Sequence, residues 1–427
     1  MRIGDSFLNF REFLQTLKFC EVKKEISPKF EIAAVLNELD GQPVFFQKLN
    51  IIGNIYSSPS LLCQSIGLKS FAEWIPKLIA AQNTPGRLIE KGAAKDMHSI
   101  KITDLPVLTH YQNDAGPYIT SGAVIAERGT RKNASVHRIL ILDEKQLVMR
   151  IVRRHLYELF TDAKAHGEDL PLSICIGISP AVQIAAATSI PADQFELNFA
   201  AALAGGELEV YHGLPESEII ILGKLLCDKE VDEGPFADIT GKYDIKRKQP
   251  LFEIDSVMAK KDFIYHALLP AAKDHIFLMG LPKVPFIYQE IKNSGVAVKN
   301  VFLSPGGFGW LKAIVSIDKK SEEDIRKTAD AVISAHSSVK NIIITDNDVD
   351  ITNSTQVENA IILNSLFNKT NPIILENVRS SSLDPRAFDE RGSKLIIDAT
   401  KPLQRDDLNF ERGKIPVSPK RLKDLLS

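Results

Sequence analysis

The chain has 427 residues, of which 44% are hydrophobic and 25% are charged, and its formal net charge is −2 at pH 7. This length exceeds what one hydrophobic core usually serves, so we expect two or three domains. The near-neutral charge gives no basic field for a polynucleotide, so we expect no nucleic-acid partner.

The first domain is expected to be a small α/β unit at residues 1–100. Apolar residues at helical spacing over residues 7–18 predict a helix, because they share one face. The runs PVFFQKL and IIGNIYSS predict short strands, and FAEWIPKLIAAQ predicts a second helix.

The second domain, at residues 101–296, is expected to be rich in strands. The runs that predict strands are SGAVIAE, RILILDE, QLVMRIV, LPLSICIGIS, ELEVYHG and EIIILGKLL. Helices are predicted for HLYELFTDAKAHG, PAVQIAAAT and DQFELNFAAALAGG, two of which end in glycine. The pattern favours a sheet or a split β-barrel that carries helical insertions.

The third domain, at residues 297–427, alternates strands and helices, which favours a C-terminal α/β domain. Its helix at 321–336 begins with a capping-box pattern, Ser321 followed by Asp324. The last 30 residues are polar and predict an extended tail or a short partner-binding helix. The fold class is therefore α/β, of the α+β multidomain type.

The cysteines indicate a reducing compartment. Cys20, Cys63, Cys175 and Cys227 show no zinc-like spacing, and the apolar runs around Cys20 and Cys175 predict buried thiols. The N-terminal stretch lacks the apolar core of a signal peptide, and we expect no membrane span. These features favour the cytoplasm.

The run KNASVHR is the first candidate for chemistry. On a strand, Asn133, Ser135 and His137 lie on one face, and Arg138 lies on the other. If the run bends, the amide and hydroxyl oxygens can bind phosphate or metal, while Arg138 binds a carboxylate with two hydrogen bonds. The alternative is a polar strand on the surface.

Two further residues extend this group. Asn133, His155 and Glu196 offer an amide oxygen, an imidazole and a carboxylate, a set that suits Mn²⁺ or Mg²⁺ better than a structural zinc. The alternative for His155 is a solvated residue at the start of a helix. The spacing is too open to form a motif alone.

The run VDEGPFADITG carries two acids, Glu233 and Asp238, around a Gly-Pro turn. Pro235 fixes its φ and Gly234 allows close backbone approach, so both carboxylates could be held on a stiff loop. Two carboxylates beside one arginine allow one to stay ionised while the other exchanges a proton. The alternative is an ordinary acidic surface turn.

Several enzyme classes have no support. SPGGFGW at 304–310 is not the glycine pattern of a dinucleotide site, and the chain has no phosphate-binding P-loop motif. It also lacks the Gly-x-Ser-x-Gly pattern of serine hydrolases.

Taken in order, these segments resemble the UbiD family of decarboxylases that depend on prenylated FMN. The resemblance covers roughly residues 100–400 and is specific in motif order. The runs that carry it are YITSGAVIAERGTRKNASVHRILILDEKQLVMRIVRRHL, LPLSICIGISPAVQIAAATSIPADQFELNFAAALAGGELEVYHG, DEGPFADITGKYD, VKNIIITDNDVDI and RGSKLIIDAT.

The resemblance implies a metal site and a flavin site. Asn133, His155 and Glu196 would bind a divalent metal, Mn²⁺ or Mg²⁺, that bridges to the flavin phosphate, and K⁺ is a further candidate ion. The other residues implied to contact the cofactor are Ser135, Val136, Arg138, Arg154, Thr188 and, at the phosphate, Lys340.

The resemblance also implies catalytic roles. Arg138 would hold the substrate carboxylate, Asp238 would give a proton where CO₂ leaves, and Glu233 would tune both by its charge. The modified flavin would supply the electronic chemistry. A flavin prenyltransferase would supply this cofactor, and a homodimer or higher homo-oligomer is expected, with the helix at 321–336 and the tail at 401–427 as candidate interfaces.

The substrate follows less directly. Arg154 and His137 add positive charge that relatives lack, which suits a phosphorylated acid unless both side chains point to solvent. We expect anhydromevalonate phosphate, giving isopentenyl phosphate and CO₂, with an aromatic or polyprenyl-hydroxybenzoate acid as the alternative. A second class of function, a binding or assembly protein without turnover, is disfavoured because Arg138, Glu233 and Asp238 are all present.

Overall fold

The N-terminal region is a small sheet with helices beside it. The computed structural model describes residues 9–94, 96–403 and 415–426. Three strands of this sheet come from the N-terminal region, and the fourth, Tyr265–His266, comes from later in the chain. The elements are α1 (Phe10–Gln15), β1 (Cys20–Val22), α2 (Glu31–Glu38), β2 (Val44–Phe46), β3 (Ile51–Gly53), α3 (Pro59–Ser65) and α4 (Trp74–Asn83).

The helix predicted at 7–18 is shorter than expected. Helix α1 begins after Asn9, whose side chain accepts a hydrogen bond from the backbone N–H of Glu12. Phe10, Phe13 and Leu14 are buried, as the helical spacing predicts. The start of the predicted helix, residues 7 and 8, lies outside the described residues.

The central region is built on an antiparallel sheet of nine strands, in the part predicted as a split barrel. A strand triplet and a two-stranded ribbon stand beside it. The elements are β4 (Arg87–Glu90), β5 (Met97–Ile100), β6 (Tyr118–Ile119), β7 (Ala123–Arg128), β8 (Arg131–Val136), β9 (Ile139–Ile141), β10 (Gln146–Met149), α5 (His155–Ala165), β11 (Leu170–Ile178), α6 (Pro180–Ala187), α7 (Glu196–Leu203), β12 (Glu207–Tyr211), β13 (Leu214–Pro215), β14 (Ser217–Glu233), β15 (Phe236–Ala237), β16 (Tyr243–Asp244), β17 (Arg247–Lys260) and β18 (Tyr265–His266).

Strand β14 of the large sheet carries Glu233 at its end. The strands run β6-β9-β10-β17-β14-β11-β7-β8, and β5 pairs with β17. Strand β14 continues past its apolar half to Glu233, because its polar end pairs with β17, where Glu233 faces Arg247 in the register. The predicted strand EIIILGKLL is therefore only the first part of a 17-residue strand.

The C-terminal region is a five-stranded sheet with helices, in the strand order β19-β20-β21-β23-β22. The three middle strands are parallel and the two edge strands are antiparallel to their neighbours. The elements are α8 (Lys273–Gly280), α9 (Val284–Asn293), β19 (Val298–Leu303), β20 (Lys312–Ile317), α10 (Glu323–Ala335), β21 (Asn341–Asp346), α11 (Ser354–Asn364), β22 (Ile373–Arg379), β23 (Arg391–Ala399) and α12 (Pro419–Leu426). The α/β multidomain class is confirmed.

The start of α10 differs in detail from the predicted capping box. Asp324 accepts a hydrogen bond from the backbone N–H of Ser321 at 3.1 Å, which is one half of the box. The Ser321 hydroxyl donates to the Asp324 carboxylate at 3.0 Å and therefore does not accept the backbone hydrogen bond of the other half.

The prediction of buried thiols is confirmed for Cys175 and wrong for Cys20. Cys175 lies inside β11 and is fully buried, whereas Cys20 is exposed. Cys20 begins β1, and β1 is an edge strand with solvent on one side. No helix among the described residues is long and apolar enough to cross a membrane.

Candidate active site

Arg138 stands at the centre of a buried charge cluster. Its Nε and Nη2 donate to the two oxygens of Glu233 at 3.0 and 2.8 Å, which is the two-bond geometry that the sequence predicted. Its Nη1 donates to Asp238 Oδ2 at 2.6 Å. The structure thus brings together the three residues predicted to be catalytic.

The two acids are not equivalent. The side chain of Glu233 is 0% exposed and that of Asp238 is 21% exposed, beside an Arg138 side chain that is 8% exposed. Tyr118 donates its hydroxyl proton to Glu233 Oε1 at 3.1 Å, so this carboxylate is held from two sides. Glu233 is therefore held in place, whereas Asp238 is accessible to water or a ligand.

A third acid, Asp244, belongs to the cluster. Arg138 Nη2 donates to Asp244 Oδ2 at 2.9 Å, and Arg247 pairs with the same oxygen at 2.6 Å. Burial alone would raise the pKa of Asp244, but the hydrogen bond from Arg247 and the charge of Arg138 hold this pKa below its usual value. The sequence analysis includes Asp244 in the run DEGPFADITGKYD but does not identify it as a site residue.

The pairing of β15 with β16 explains why Asp244 was missed. Phe236 faces Asp244 in this two-stranded ribbon, so the turn folds back and returns a carboxylate to Arg138. The ring of Phe236 lies 4.9 Å from the guanidinium carbon of Arg138. One sequence signal could have identified Asp244: it is an acid at the end of a short strand that returns from an acidic turn.

The Gly-Pro turn gives the cluster its shape. Gly234 has φ +87°, in the left-handed region that favours glycine, and a Cβ there would lie 3.1 Å from the carbonyl oxygen of Ile245. The turn therefore requires glycine, and Glu233 and Asp238 reach Arg138 from its two sides. The reading as a plain surface turn is excluded by the burial of Glu233.

The residues predicted to bind metal also lie together. Glu196 begins α7 and is buried, and its Oε1 lies 3.8 Å from His155 Nδ1 and 3.0 Å from Asn133 Nδ2. The backbone N–H of Ala134 donates to Glu196 Oε2 at 2.8 Å. The hydrogen bond with Glu196 raises the pKa of His155. The described residues contain no group of three or more His, Cys, Asp or Glu side chains that could hold a metal, so any ion here depends on the amide of Asn133.

The predicted strand face forms a line of hydrogen bonds. The Ser135 hydroxyl lies 2.8 Å from Asn133 Oδ1 and 2.8 Å from His137 Nε2. The other ring nitrogen of His137 lies 2.9 Å from the carbonyl oxygen of Arg150 and must donate to it. Val136 is half-buried at the end of β8 and pairs with Ala123 of β7.

Of the three other residues predicted to contact the cofactor, Arg154 and Thr188 lie near each other, and Lys340 lies apart from them. Arg154 Nη1 donates to Ser189 Oγ at 2.8 Å, next to Thr188, which is buried at the end of α6 and donates its hydroxyl proton to the carbonyl oxygen of Ile184. Lys340 lies at the start of the C-terminal strand region and pairs with Asp384 at 2.8 Å. The structure does not join Lys340 to the Asn133 group.

Comparisons with known proteins identify the family of this chain. Residues 85–273 match the 3-octaprenyl-4-hydroxybenzoate carboxy-lyase Rift-related domain of the UbiD family, and residues 276–399 match its C-terminal domain. The chain is 37% identical to an anhydromevalonate phosphate decarboxylase of Methanosarcina mazei, over 96% of this chain and 100% of that protein. A second such protein, from Methanothermobacter thermautotrophicus, is 36% identical over 90% of this chain and 94% of its own length.

A solved structure is also similar. The UbiD-class enzyme HmfF from Pelotomaculum thermopropionicum, in complex with FMN, superimposes with a TM-score of 0.92 and is 30% identical, over 98% of this chain and 100% of that chain. The family match spans most of the chain and includes both the Arg138 cluster and the Asn133 group. The chain therefore belongs to the UbiD family and is a carboxy-lyase.

Proposed function

We propose that this protein decarboxylates anhydromevalonate phosphate to isopentenyl phosphate and CO₂, using prenylated FMN. Relatives that carry the name anhydromevalonate phosphate decarboxylase are 33–37% identical over 90% or more of this chain. HmfF was solved with FMN and, in an evolved dimeric form, with prenylated FMN. The observation that carries the proposal is the arginine held between a buried and a partly exposed carboxylate.

The cluster supports a division of roles. Arg138 can accept a substrate carboxylate if Asp238 gives up its hydrogen bond, because the two bonds to Glu233 keep the guanidinium in place. The partly exposed Asp238 then holds the proton that replaces CO₂. Glu233 keeps Arg138 in place through the reaction, because its buried carboxylate is held by both Arg138 and Tyr118.

The flavin would be held along β8, the start of α5 and the end of α6. Asn133, Ser135 and Val136 of β8, together with Arg154 and Thr188, form the predicted contacts, and Lys340 remains a candidate for the phosphate. When bound, the prenylated flavin supplies an electron sink for the decarboxylation.

A cation at the Asn133 group is supported by the hydrogen-bond line. The Ser135 hydroxyl has only one proton to donate. Asn133 Oδ1 and His137 Nε2 must both accept a hydrogen bond, so the two atoms compete for this proton. Exchanging the oxygen and nitrogen of the Asn133 amide resolves this conflict, because Nδ2 then donates to Ser135 and Ser135 donates to His137. The exchange also turns Oδ1 towards Glu196 Oε1.

After the exchange, the amide oxygen of Asn133 lies 3.0 Å from Glu196 Oε1. Two oxygens at this distance repel each other unless a cation lies between them. The amide oxygen, the carboxylate and the His155 imidazole then form a ligand set for Mn²⁺ or Mg²⁺. The donor set therefore fits a divalent ion. K⁺ remains a further candidate ion, but no contact among the described residues supports it.

A homo-oligomer is supported by an apolar surface of the C-terminal region. The large side chains there that are more than half exposed, at the end of α11, after it and on β22, are Ile362, Leu363, Leu366, Phe367 and Ile374. The exposed face of α10, by contrast, carries the ion pairs Arg326–Asp330 and Lys327–Glu323. We therefore favour α11 and β22 over the helix at 321–336 as the interface. Of the tail at 401–427, residues 404–414 lie outside the described residues.

The cellular setting follows from the same proposal. All four cysteines are free thiols, which suits a reducing cytoplasm. A flavin prenyltransferase would supply the cofactor there. The three-domain division at residues 100 and 296 remains part of this proposal.

The test is co-expression with a flavin prenyltransferase and assay of the purified holoenzyme. Incubation with anhydromevalonate phosphate is expected to release equal amounts of CO₂ and isopentenyl phosphate, whereas protein expressed without the prenyltransferase releases neither. Turnover of cinnamate-like or hydroxybenzoate acids in place of the phosphorylated acid would refute the substrate. Bound flavin without turnover of any of these acids would favour the binding-protein alternative.

A further inference from the structure

The hydrogen-bond line that passes through Ser135 begins at a backbone carbonyl. The carbonyl oxygen of Arg150 lies 2.9 Å from His137 Nδ1, and the backbone N–H of Arg150 donates to the carbonyl oxygen of Arg138 at 3.2 Å. The second of these bonds holds the backbone of Arg150 beside the chain that carries His137. Because a carbonyl oxygen can only accept, His137 Nδ1 must carry a proton.

The other nitrogen of His137 is left as an acceptor. His137 forms no ion pair with a carboxylate of the described residues, and burial lowers the pKa of its imidazole below the usual value. The ring is therefore neutral at neutral pH, and Nε2 has a free lone pair. Nε2 lies 2.8 Å from the Ser135 hydroxyl, so Ser135 must donate its one proton to His137.

This proton sets the orientation of the Asn133 amide. Asn133 is 3% exposed, so its amide is oriented by neighbouring protein groups and not by bulk water. Once Ser135 Oγ has given its proton to His137, it can only accept from Asn133. The oxygen and nitrogen of an amide are assigned from their hydrogen bonds, and the Asn133 atom 2.8 Å from Ser135 is therefore the nitrogen.

The orientation of this amide decides whether a cation can enter. Glu196 Oε2 is engaged by the backbone N–H of Ala134 at 2.8 Å, whereas Oε1 lies 3.0 Å from the Asn133 amide and 3.8 Å from His155 Nδ1. With the amide nitrogen turned to Ser135, Oε1 and the amide oxygen both face the site as acceptors. In the opposite orientation the amide nitrogen would donate to Oε1 and close the site to a cation.

We propose that His137 is a positioning residue for the metal: through Ser135 it holds the amide oxygen of Asn133 towards Glu196. The inference rests on the proposed function, because the cation at the Asn133 group is part of that proposal. It assigns His137 to the metal group and not to a phosphorylated substrate. Residues that orient a ligand without touching the metal typically change metal affinity about 10- to 100-fold.

The test is a titration of the flavin-free, full-length chain with Mn²⁺, in which electron paramagnetic resonance measures the free ion. His137→Phe keeps a ring but removes both nitrogens, so the Ser135 proton turns to Asn133 Oδ1. The affinity for Mn²⁺ is expected to fall about 10- to 100-fold. His98→Phe, which replaces an exposed histidine of β5, is the matched control and is expected to leave the affinity unchanged.

Two further variants separate positioning from packing. In His137→Gln the side-chain oxygen can accept the Ser135 proton, so most of the affinity is expected to return. Ser135→Ala is expected to weaken Mn²⁺ binding when His137 is present. When Ser135→Ala is added to His137→Phe, however, it removes the hydroxyl that holds the amide oxygen away, so the double variant is expected to bind Mn²⁺ more tightly than His137→Phe alone. If His137 acted only by packing, the two losses would add.

The wild type provides a measurement that does not depend on the folding of His137→Phe. Nitrogen-15 NMR of the full-length chain distinguishes an imidazole protonated on Nδ1 from one protonated on Nε2 or on both. The His137 signal, assigned as the one lost in His137→Gln, is expected to show a neutral ring with its proton on Nδ1.

The outcomes keep this inference distinct from the decarboxylase proposal. Unchanged Mn²⁺ affinity in His137→Phe, additive losses in the double variant, or a proton on Nε2 would each overturn the role of His137. A wild type that binds no Mn²⁺ would refute the metal site and the role of His137 together. Failure of the holoenzyme to turn over any acid would refute the decarboxylase alone, because these measurements need neither flavin nor substrate.

Discussion

The Arg138 cluster and the Asn133 group treat buried charge in opposite ways. Arg138 is buried and faces Glu233, Asp238 and Asp244, so its positive charge is compensated within the protein. The Asn133 group instead buries the carboxylate of Glu196, which forms no ion pair with a Lys or Arg side chain of the described residues. A compensated charge keeps a fixed geometry for chemistry, whereas an uncompensated one gains most of its stabilisation from a ligand.

The partners of Glu196 are the amide of Asn133, the backbone N–H of Ala134 and the imidazole of His155. This carboxylate therefore lacks a permanent cation, and the Asn133 group is the site proposed to bind a metal.

The largest effect is expected from Arg138→Ala. Its loss leaves Glu233 buried without its cation, so we expect near-total loss of decarboxylation and a free energy of unfolding lower by about 3–5 kcal/mol. Assay of CO₂ release and denaturant unfolding check both. The control is Arg128→Ala, which removes an arginine between Asp162 and Glu168 at the surface and should change neither measurement greatly. Retained activity in Arg138→Ala would contradict the assigned role.

The next effect is expected from Glu196→Gln. The neutral amide cannot balance a divalent cation, so metal content measured by mass spectrometry should fall to background, and FMN should bind at least about tenfold more weakly. Glu207→Gln, which removes an exposed partner of Arg87, is the matched control. Full metal content in Glu196→Gln would rule out this carboxylate as a ligand.

A smaller effect is expected from Asp244→Asn. Arg138 keeps its bonds to Glu233 and Asp238 but loses one compensating charge, so kcat/KM should fall about tenfold while flavin binding persists. Asp232→Asn removes a surface carboxylate that pairs with Lys246 and Lys248, and it should have no effect on kcat/KM. If the two variants behave alike, Asp244 is only a surface partner of Arg247.

Local patterns predicted most of the elements, and together with the family resemblance they pointed to the residues that the structure brings together around Arg138 and Asn133. The order of strands and helices, the Glu-Gly-Pro turn and the set Asn133, His155 and Glu196 follow from short segments. The partners that depend on distant pairing did not. Asp244 reaches Arg138 across 106 residues through the β15–β16 ribbon.

Exposure at the edge of a sheet also could not be predicted from the local sequence. Cys20 sits in an apolar run, but its strand is at the edge of its sheet, and strand order is a tertiary property. Strand β14 runs beyond its apolar part because β17 pairs with its polar end. In both cases the neighbour in space, and not the local pattern, determines the outcome.

The central claim, that Asp238 delivers the proton while Arg138 and Glu233 hold the carboxylate site, is tested by a single turnover of Asp238→Asn holoenzyme. The account predicts that CO₂ is released in an amount close to that of the active sites, while isopentenyl phosphate fails to appear and flavin stays bound. Normal product release, or loss of CO₂ release together with loss of the flavin, would contradict it.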